Sequence, residues 1–530
     1  MTIKLLDCTL RDGGYVNSWK FGKKIIEKVV KNLVESRVEI IELGYLQDDV
    51  LDNDTSTSLF QNTLQIENIL KDALSFEVKN TSFYCMVNFG HFDVSSLPNL
   101  DSKPNTLHGI RLAFHKADLD NIGELIKEIK QKGYDICIQP MITNSYNDKD
   151  LEKLIRISNN NNVSSLYIVD SFGNLSVKKL LSINSLYDAG LKESISIGLH
   201  LHDNMKDSLM RVVEFINNNK ERNIIIDSTI SGVGRGAGNL NTEIIASYLT
   251  NEYKQNYSTL PLLEMIDEYF ELLMKEEGWG YSIAYFLSSL SNCHPNYASH
   301  YVNKKNLSVS SIKELLETID TNKLSNFDME YAEKHLQKYA EYNVCPKGSC
   351  FDLDVFREKN ILLLGSGKTM SQYEEIIHKS IKKEKMIVIS LNFIPDGIDI
   401  DYAFFSNEKR FAEFKDNKQL NDRLIVSSNI KTSQPHRCIS VKKMSDGVVK
   451  TSNACLMMLN LFVRSSCTQV FLAGIDGFDS NRIDNYSYRE YGQLTNKKEL
   501  EGRNLHLIES FKKFKDVIIC TSITPSNIIN

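Results

Sequence analysis

The stretch Ser196–Asn204 reads SIGLHLHDN, an apolar run of strand length that ends in polar residues. Eight such runs occur between residues 3 and 230, and neighbouring runs begin 26 to 43 residues apart. They are Lys4–Cys8, Ile40–Gly44, Phe83–Val87, Gly109–Phe114, Ile136–Met141, Ser165–Val169, Ser196–Leu201 and Asn223–Asp227. The segments between them carry helical periodicity, which favours parallel strands joined by helical crossovers. Eight such units predict a closed (β/α)8 TIM barrel, with an open doubly wound sheet as the alternative.

A second strand–turn–helix pattern begins at Asn360, where the chain reads NILLLGSGKT. Further strand candidates follow it: Met386–Ser390, Asp401–Ser406, Arg423–Ser427, Gln469–Ala473 and Val517–Cys520. Between the two α/β regions the pattern is helical, until turn residues interrupt it near residue 345. The predicted fold class is therefore α/β. We expect a TIM barrel over residues 1–245, a helical extension over 246–350 and a Rossmann-like three-layer α/β domain over 355–530.

The composition excludes several classes of protein. Of the 530 residues, 42% are apolar and 25% are charged, which is globular and rules out a disordered or fibrous chain. The net charge of −6 lacks the basic excess that is typical of nucleic-acid-binding proteins. No apolar run is long enough to span a membrane, and charges and glycines interrupt the N-terminus before a signal peptide could form. We expect a cytoplasmic protein with no nucleic-acid partner.

The polar residues that follow the strands are the candidates for function, because active sites of this barrel lie at the carboxyl ends of its strands. His200 and His202 are two residues apart in a strand and therefore face the same side. Asp12, after the first strand, completes a set of two histidines and one carboxylate, and Asn239 could add a fourth oxygen. This set predicts a divalent metal site for Mn²⁺, Mg²⁺, Co²⁺ or Zn²⁺. The alternative is a pair of histidines that only form hydrogen bonds near a loop.

Three motifs, in this order along the chain, resemble the signatures of the DRE-TIM metallolyases. They are DCTLRDG over Asp7–Gly13, HLHDN over His200–Asn204 and GRGAGN over Gly234–Asn239. That superfamily includes 4-hydroxy-2-oxoacid aldolases, hydroxymethylglutaryl-CoA lyase and isopropylmalate and homocitrate synthases. IRLAFH over Ile110–His115 and DSFG over Asp170–Gly173 are most similar to the 4-hydroxy-2-oxovalerate aldolases. The resemblance covers roughly residues 3 to 300 and implies that a carbon–carbon bond is made or broken.

The resemblance also implies a role for individual residues. Asp12 and the two histidines would ligate the metal, with Mn²⁺ preferred, and a 2-oxo acid such as pyruvate would chelate it. Arg11 would stabilise the enolate that forms next to the ketone, and Ser171 would hold the substrate carboxylate. A fixed guanidinium beside a Lewis acid places positive charge where negative charge develops. As an alternative, Arg11 forms a salt bridge to Asp7 or Glu42.

One position departs from the aldolase pattern. Those aldolases carry a histidine as general base two residues after the glycine of the Arg-Asp-Gly motif, and this chain has Tyr15 there. A tyrosine serves as a base only if its pKa falls well below 10. The alternative bases are a metal-bound hydroxide and His115, after the fourth strand. Candidate positions for substrate specificity are Asn17, Tyr45, Asn88 and Tyr285.

The C-terminal region contains a Gly-Ser-Gly-Lys-Thr sequence that resembles a P-loop only in part. Leu362 stands where the Walker motif requires a glycine, so an ATPase is excluded. The remaining glycine turn between strand and helix could present N–H groups to a phosphate. Together with later motifs it is similar to sialyltransferase-like and related nucleotide-sugar-binding domains. The implied nucleotide-binding residues are Gly365, Ser366, Gly367, Asn392 and Asp476, with His436 and Tyr488 as further candidates.

Three functions follow from these patterns. The first is a metal-dependent aldolase that joins or splits a 2-oxo acid and an aldehyde or sugar-derived partner. It would be fused to a nucleotide-sugar-handling, transferase-like domain for bacterial surface-glycan biosynthesis. The second is an acetyl-CoA-dependent Claisen-type synthase, and the third is a non-catalytic scaffold with a decayed barrel. A non-catalytic Rossmann-like module is the alternative for the C-terminal region, and we expect a homo-oligomer.

Overall fold

The structure is a computed structural model. It describes residues 2–50, 56–75, 78, 80–100, 106–342, 351–415, 422–431, 437–467, 469–479, 485–487 and 497–529. His436 and Tyr488 lie outside the described residues. The chain divides into two compact units. We call Met1–Ser299 with Leu324–Asn326 the barrel unit, and His300–Lys323 with Phe327–Asn530 the C-terminal unit. Residues 246–350, expected as one helical extension, are therefore shared between the two.

Eight parallel strands close into a barrel in the barrel unit. They are β1 Ile3–Asp7, β2 Ile40–Leu46, β3 Ser82–Asn88, β4 Leu107–Phe114, β5 Asp135–Pro140, β6 Ser165–Asp170, β7 Ser196–Leu201 and β8 Ile224–Ser228. Strand β1 pairs with both β2 and β8, which closes the sheet, and a short strand Leu59–Phe60 adds to β2. The predicted barrel is confirmed, and each predicted run lies within two residues of a strand at both ends.

Amphipathic helices connect most of these strands. They are Lys23–Glu35, Thr63–Ala73, Ile122–Gln131, Asp148–Asn161, Val177–Gly190, Ser208–Asn218 and, after β8, Thr242–Tyr253. Between β3 and β4 the described residues contain only the 3-10 turn Val94–Ser96, so the expectation of a helix at every crossover is wrong there. Pro98 lies in this segment, and proline disfavours a helix because it removes a helical hydrogen bond and clashes with the preceding turn.

Helices continue after the barrel. The run Leu260–Met265, Ile266–Phe270 and Glu271–Glu276 contains a π-helical turn in its middle, and it is followed by Ile283–Leu290 and Pro295–Asn303. The indole N–H of Trp279, between these helices, donates to the carbonyl of Ser231, 3.1 Å away, in the loop after β8. This contact fixes the glycine-rich loop that follows β8. Among the described residues, no helix combines the length and apolar character that a membrane span needs.

The C-terminal unit is built on a second, open parallel sheet. Its strands are β9 Asn360–Leu364, β10 Ile387–Leu391, β11 Tyr402–Phe405, β12 Leu424–Ser427, β13 Arg437–Ile439, β14 Gln469–Ala473 and β15 Cys520–Ser522. Their order across the sheet is β13-β12-β11-β10-β9-β14-β15. The Rossmann-like prediction is confirmed, although β13 was not predicted and the last strand begins three residues after the expected start.

Helices cover both faces of this sheet. Accordingly, alternate residues of β9 belong to two different hydrophobic cores. The helices of the unit are Val309–Glu317, Met329–Tyr342, Thr369–Gln372, Glu374–Glu384, Glu408–Phe414, Val441–Ser445, Ala454–Ser465 and Lys497–Phe514. The chain runs outward from β9 to β13 and then returns to β14 on the other side of β9. The strand order therefore reverses between β9 and β14, and ligands of such sheets bind at the carboxyl ends of the strands at that point.

Candidate active site

Asp12, His200 and His202 meet at the carboxyl end of the barrel. Each offers one ligand atom, and these three atoms lie within 4.8 Å of one another. Nε2 of His200 is 3.7 Å from Oδ2 of Asp12, and Nε2 of His202 is 3.9 Å from the same oxygen. The short helix Thr9–Asp12 after β1 presents the aspartate, and β7 leads into both histidines. All three side chains are buried.

The charge states of these groups suit a metal cation. Burial lowers the pKa of His202 to about 3, so its imidazole is neutral and has a lone pair to offer. Burial alone would raise the pKa of Asp12, but Arg11 and the two histidines outweigh it and hold that pKa well below its ordinary value. The aspartate is therefore ionised at any pH at which the protein works. Two imidazoles and one carboxylate are a donor set that binds first-row divalent ions.

Asn239 stands directly behind this set. Its amide Nδ2 donates to Oδ2 of Asp12 over 2.6 Å, while its buried Oδ1 has no hydrogen-bond partner among the described residues. A buried carbonyl oxygen without a partner costs free energy unless a ligand satisfies it. The residues present therefore fit a divalent cation, with Asn239 as a source of an additional oxygen.

His200 is oriented by a carboxylate behind it. Its Nδ1 lies 3.0 Å from Oδ2 of Asp227, the residue before the last in β8. An Nδ1–H that donates to this carboxylate leaves the Nε2 lone pair for a metal, as the second partner of a ligating histidine commonly does. Cys8 lies close to the same pair, but burial raises the pKa of its thiol well above the ordinary value, so it is not a thiolate ligand.

Arg11 belongs to a buried network of alternating charges. Its Nε donates to Oε2 of Glu42 over 2.9 Å, and Nη1 of Arg111 donates to the same oxygen over 2.6 Å. Arg111 also pairs with Asp227, which connects the network to His200. The salt bridge expected as an alternative for Arg11 therefore exists, and its partner is Glu42. It holds the guanidinium beside the metal-binding set.

Asp7 is not part of that network. Its carboxylate accepts from the backbone N–H of Thr9 over 2.9 Å and from the hydroxyl of Thr242 over 2.6 Å. Burial raises the pKa of Asp7 to about 7. Asp7 therefore holds the turn after β1 against the helix after β8, and the alternative that it pairs with Arg11 is wrong.

A cavity of about 270 Å³ opens above these residues. The residues expected at the site that line it are Arg11, Asp12, Tyr15, Tyr45, Asn88, His115, Ser171, His200 and His202. Asn239 lies behind the wall, and Asn17 and Tyr285 do not line the cavity. Sequence reasoning therefore placed nine side chains around one space, although their roles remain predictions.

Tyr15 and Tyr45 form a hydroxyl pair at one wall of the cavity. Their oxygens are 3.1 Å apart, and Tyr15 is 43% exposed whereas Tyr45 is buried. Burial raises the pKa of Tyr45 well above its ordinary value, so its phenol stays protonated. Tyr45 can therefore donate to the oxygen of Tyr15. His115, the alternative base, is exposed at the rim.

Sequence reasoning assigned no role to four further residues of the site: Arg111, Asp227, Arg235 and His294. Asp227 had a visible signal, because it is the one charged residue at the end of the isoleucine run of β8. Arg235 is the one charged residue within the glycine loop after β8. Arg111 stands in the motif Ile110–His115, but its role, like that of His294, depends on partners that are distant in sequence.

In the C-terminal unit, a cavity of about 230 Å³ lies where the strand order reverses. All five residues expected to bind a nucleotide line it: Gly365, Ser366, Gly367, Asn392 and Asp476. The loops after β9 and β14 form its floor.

Two N–H groups of the glycine turn in this cavity are engaged within the protein. The N–H groups of Gly365 and Gly367 donate to the carbonyls of Ala473 and Gly474 over 2.8 and 2.9 Å, so they are not available to a ligand. The carboxylate of Asp476 accepts from the backbone N–H of Thr369 over 2.8 Å and from its hydroxyl. These groups therefore join two loops of the sheet and cap the helix Thr369–Gln372.

The barrel region is similar in sequence to known aldolases. A 4-hydroxy-2-oxovalerate aldolase of Bacillus cereus is 23% identical over 267 residues, which are 50% of this chain and 75% of that protein. The protein of the same name from Carboxydothermus hydrogenoformans is 23% identical over 270 residues, 50% of this chain and 76% of that one. The resemblance inferred from the motifs is confirmed. No protein-family model matches the chain.

Among solved structures, the N-terminal domain of a proposed aldolase from Bacteroides vulgatus is 24% identical. The match covers 57% of this chain and 96% of that domain, with a TM-score of 0.47. The aldolase relatives support a carbon–carbon lyase of the metal-dependent kind. The resemblance of residues 355–530 to nucleotide-sugar-binding domains stays a prediction.

Proposed function

We propose that the barrel unit is a divalent-metal-dependent aldolase that makes or breaks the carbon–carbon bond next to a 2-oxo acid, with pyruvate as the enolate donor. The observation that carries this proposal is the convergence of Asp12, His200 and His202 beside Arg11 under one cavity. The aldolase names of the sequence relatives support it. Asp12, His200 and His202 would hold the ion, with Mn²⁺ preferred and Asn239 as a further ligand.

Arg11 is the residue best placed to stabilise the enolate. When bound, a divalent cation supplies Lewis-acid polarisation of the ketone oxygen. Arg11 adds a guanidinium whose Nε is held by Glu42 and whose Nη1 is held by Asp12, 2.9 Å away in each case. Its remaining N–H donors are fixed in direction before substrate arrives, which is the condition under which such donors lower a barrier.

Ser171 is placed to bind the substrate carboxylate. Its Oγ accepts from the backbone N–H of Ile142 over 3.0 Å. That contact uses the oxygen as an acceptor and leaves the hydroxyl hydrogen to donate toward the cavity, which Ser171 lines.

Tyr15 would move the proton at the aldehyde oxygen. In the condensation direction the methyl carbon of the 2-oxo acid loses a proton and bonds to the aldehyde carbon, and the aldehyde oxygen takes up a proton. The protonated phenol of Tyr45 donates to Tyr15, so the Tyr15 hydroxyl hydrogen can point to the substrate. His115 is the alternative base at the rim.

Exchange of the pyruvate methyl protons tests this proposal without any knowledge of the aldehyde. The protein, stripped of metal and reloaded with Mn²⁺, is incubated with pyruvate in D₂O and followed by proton NMR. Metal-dependent loss of the methyl signal is expected. Exchange that appears only with acetyl-CoA present would favour the Claisen-type synthase, and absence of both metal uptake and exchange would favour the scaffold.

For the C-terminal unit we propose nucleotide or nucleotide-sugar binding, as a transferase-like partner of the barrel in surface-glycan biosynthesis. The supporting observation is the cavity at the reversal of strand order, which adjoins a cleft of about 890 Å³. Arg410 lines both spaces, and Lys305, Lys409 and Arg503 line the cleft. Because the glycine N–H groups are engaged, these side chains are the candidates for binding phosphates.

Thermal shift of the full chain with UMP, UDP and CMP tests this second proposal. A ligand at a hundred times its dissociation constant stabilises the fold by about 2.7 kcal/mol, which a shift assay detects readily. Arg410→Gln should weaken binding of the stabilising nucleotide about tenfold or more. Lys512→Gln, in the helix Lys497–Phe514 and outside both spaces, is the matched control. Stabilisation by none of the nucleotides, or an unchanged affinity in the Arg410 variant, would refute the proposed site.

We also retain the proposal of a homo-oligomer. Exposed apolar side chains on the helical run Leu260–Glu276 support it, and they are Leu260, Leu263, Leu272 and Met274. Light scattering at two protein concentrations would give the mass directly.

A further inference from the structure

Arg235 lines the barrel cavity from the glycine loop after β8. Its Nη2 donates to the backbone carbonyl of Ser171 over 3.1 Å, and its guanidinium carbon is 5.7 Å from the ring centre of Tyr15. The side chain therefore lies between the residue proposed to hold the carboxylate and the residue proposed to move the proton. These two contacts engage one of the five N–H donors of the guanidinium, and the other four take no part in them.

Arg235 carries a positive charge at the wall of the cavity. Among the residues that the structure describes, no carboxylate forms an ion pair with its guanidinium. Burial lowers the pKa of His294 to about 3, and the positive charge of Arg235 contributes to this shift. Arg235 therefore faces a neutral imidazole. A half-buried cation without a partner, at the wall of a cavity, favours an anionic ligand.

The other charged groups around the cavity are already balanced or distant from this wall. Arg11 is paired with Asp12 and Glu42. Asp118, at the rim, accepts from the backbone N–H of His115 over 3.1 Å. Neither arrangement offsets the charge of Arg235 at close range.

The loop holds Arg235 in a fixed position. Gly236 and Gly238 have positive φ angles of 72° and 79°, and the N–H of Gly238 donates to the carbonyl of Arg235 over 3.2 Å. A side chain at Gly238 would collide with the carbonyl of Gly232 and approach Trp279. The loop is therefore closely packed, and such support is what a substrate-orienting group needs.

The position of Arg235 indicates which substrate it contacts. The ketone and enolate oxygens of the 2-oxo acid have partners in the metal-binding set and Arg11, and its carboxylate has Ser171. Pyruvate would fill only part of a cavity of about 270 Å³. Tyr15, which would move the proton at the aldehyde oxygen, lines the same cavity, and the guanidinium of Arg235 lies beside its ring.

We propose that Arg235 binds an anionic group of the aldehyde, so that the preferred acceptor is an aldehyde that carries a carboxylate or a phosphate. This inference rests on the aldolase function proposed above. It names the class of the second substrate, which the metal-binding motifs do not define.

Acceptor selectivity tests the inference. Aldol formation from pyruvate is measured with two matched pairs, succinic semialdehyde against butanal and glyceraldehyde 3-phosphate against glyceraldehyde. The value compared is the ratio of kcat/KM for the anionic aldehyde to that for the neutral one. The wild-type ratio should exceed about ten for one of the pairs, because a hydrogen bond to a charged group contributes at least that factor to binding. The pair that shows this preference identifies the anionic group as a carboxylate or a phosphate.

Arg235→Gln should lower that ratio about tenfold or more, and Arg235→Lys should retain part of it because it keeps the charge without the planar fork. A ratio is insensitive to the fraction of folded enzyme, so a less stable variant does not imitate the effect. Lys116→Gln is the matched control, since Lys116 is a cation near the mouth that pairs with Asp150 and does not line the cavity. Its ratio should change less than about twofold.

The outcomes distinguish failure of the role of Arg235 from failure of the aldolase function. Metal-dependent exchange of the pyruvate methyl protons, combined with a ratio near one or a ratio unchanged in Arg235→Gln, would overturn the role of Arg235 and leave the aldolase. Absence of exchange in the wild-type protein would refute the aldolase itself, and the inference about Arg235 would fall with it.

Discussion

The cavities of the two units use polar groups in opposite ways. At the barrel mouth, ionised side chains are buried and converge on one cavity, as Arg11 and Asp12 do. At the strand-order reversal of the C-terminal unit, the polar groups that the sequence marked are consumed by the fold, as Asp476 is by Thr369. Buried charge is costly unless it is paired or has a ligand. The barrel mouth therefore carries the stronger sign of chemistry.

Removal of a candidate metal ligand should have the largest effect on activity. It tests most directly whether the barrel mouth is the catalytic site. His200→Ala should abolish metal-dependent exchange and weaken Mn²⁺ binding by well over a hundredfold, because even the loss of an outer-shell partner costs up to that factor. Asp227 keeps Arg111 as its partner in this variant, so the fold should remain largely intact. Calorimetric titration with Mn²⁺ and proton NMR exchange would measure the two losses.

His378→Ala is the control for that experiment. His378 is an exposed histidine of the C-terminal unit, 3.6 Å from Glu374. Its loss should change neither Mn²⁺ affinity nor exchange. Full activity of His200→Ala without bound metal would refute the proposed site.

The buried charge network gives the next largest effect, on stability. Glu42→Gln leaves the guanidinium groups of Arg11 and Arg111 without the carboxylate that both use, and we expect a loss of about 3–5 kcal/mol in the free energy of unfolding. The chain has two tryptophans, Trp19 and Trp279, and both lie in the barrel unit. Tryptophan fluorescence in urea therefore reports unfolding of this unit alone.

Glu314→Gln is the matched variant for the C-terminal unit. Glu314 pairs with Lys431 at the surface, where both side chains are more than 40% exposed. Solvent screens such pairs, so the C-terminal unit should lose less than about 1 kcal/mol in its free energy of unfolding, followed by circular dichroism in urea. The tryptophan transition should not move. Equal effects of the two substitutions would show that burial does not distinguish the two networks.

The strands of the barrel and the convergence of its three candidate metal ligands could be predicted from the sequence, because both depend on the spacing and order of the strands. His200 and His202 share a side by their spacing in a strand, and Asp12 follows a strand that must end at the same rim. These inferences need only the order of elements. They require no knowledge of which side chains meet across the barrel.

The buried ion pairs that hold the site residues in place could not be predicted, because the two members of each pair are distant in sequence. Arg111 meets a carboxylate 69 residues away and another 116 residues away. The engagement of two N–H groups of the glycine turn in the C-terminal unit could not be predicted for the same reason. The carbonyls that accept from Gly365 and Gly367 belong to residues more than a hundred positions later. A turn that is suited to phosphate by its composition is equally suited to close packing of two loops.

Substitution of Asp476 should have the smallest effect, and it tests whether this carboxylate stabilises the fold or binds a ligand. Asp476→Ala removes the acceptor for the N–H of Thr369 and should cost about 1–2 kcal/mol in stability, in the range of a lost helix cap. Asp476→Asn keeps an acceptor oxygen and should cost less than about 1 kcal/mol. If the carboxylate serves the fold, Asp476→Asn should bind the stabilising nucleotide as tightly as the wild-type protein in a thermal shift titration. A tenfold weaker affinity with unchanged stability would instead place Asp476 in contact with the ligand, and the contrast between the two cavities would narrow.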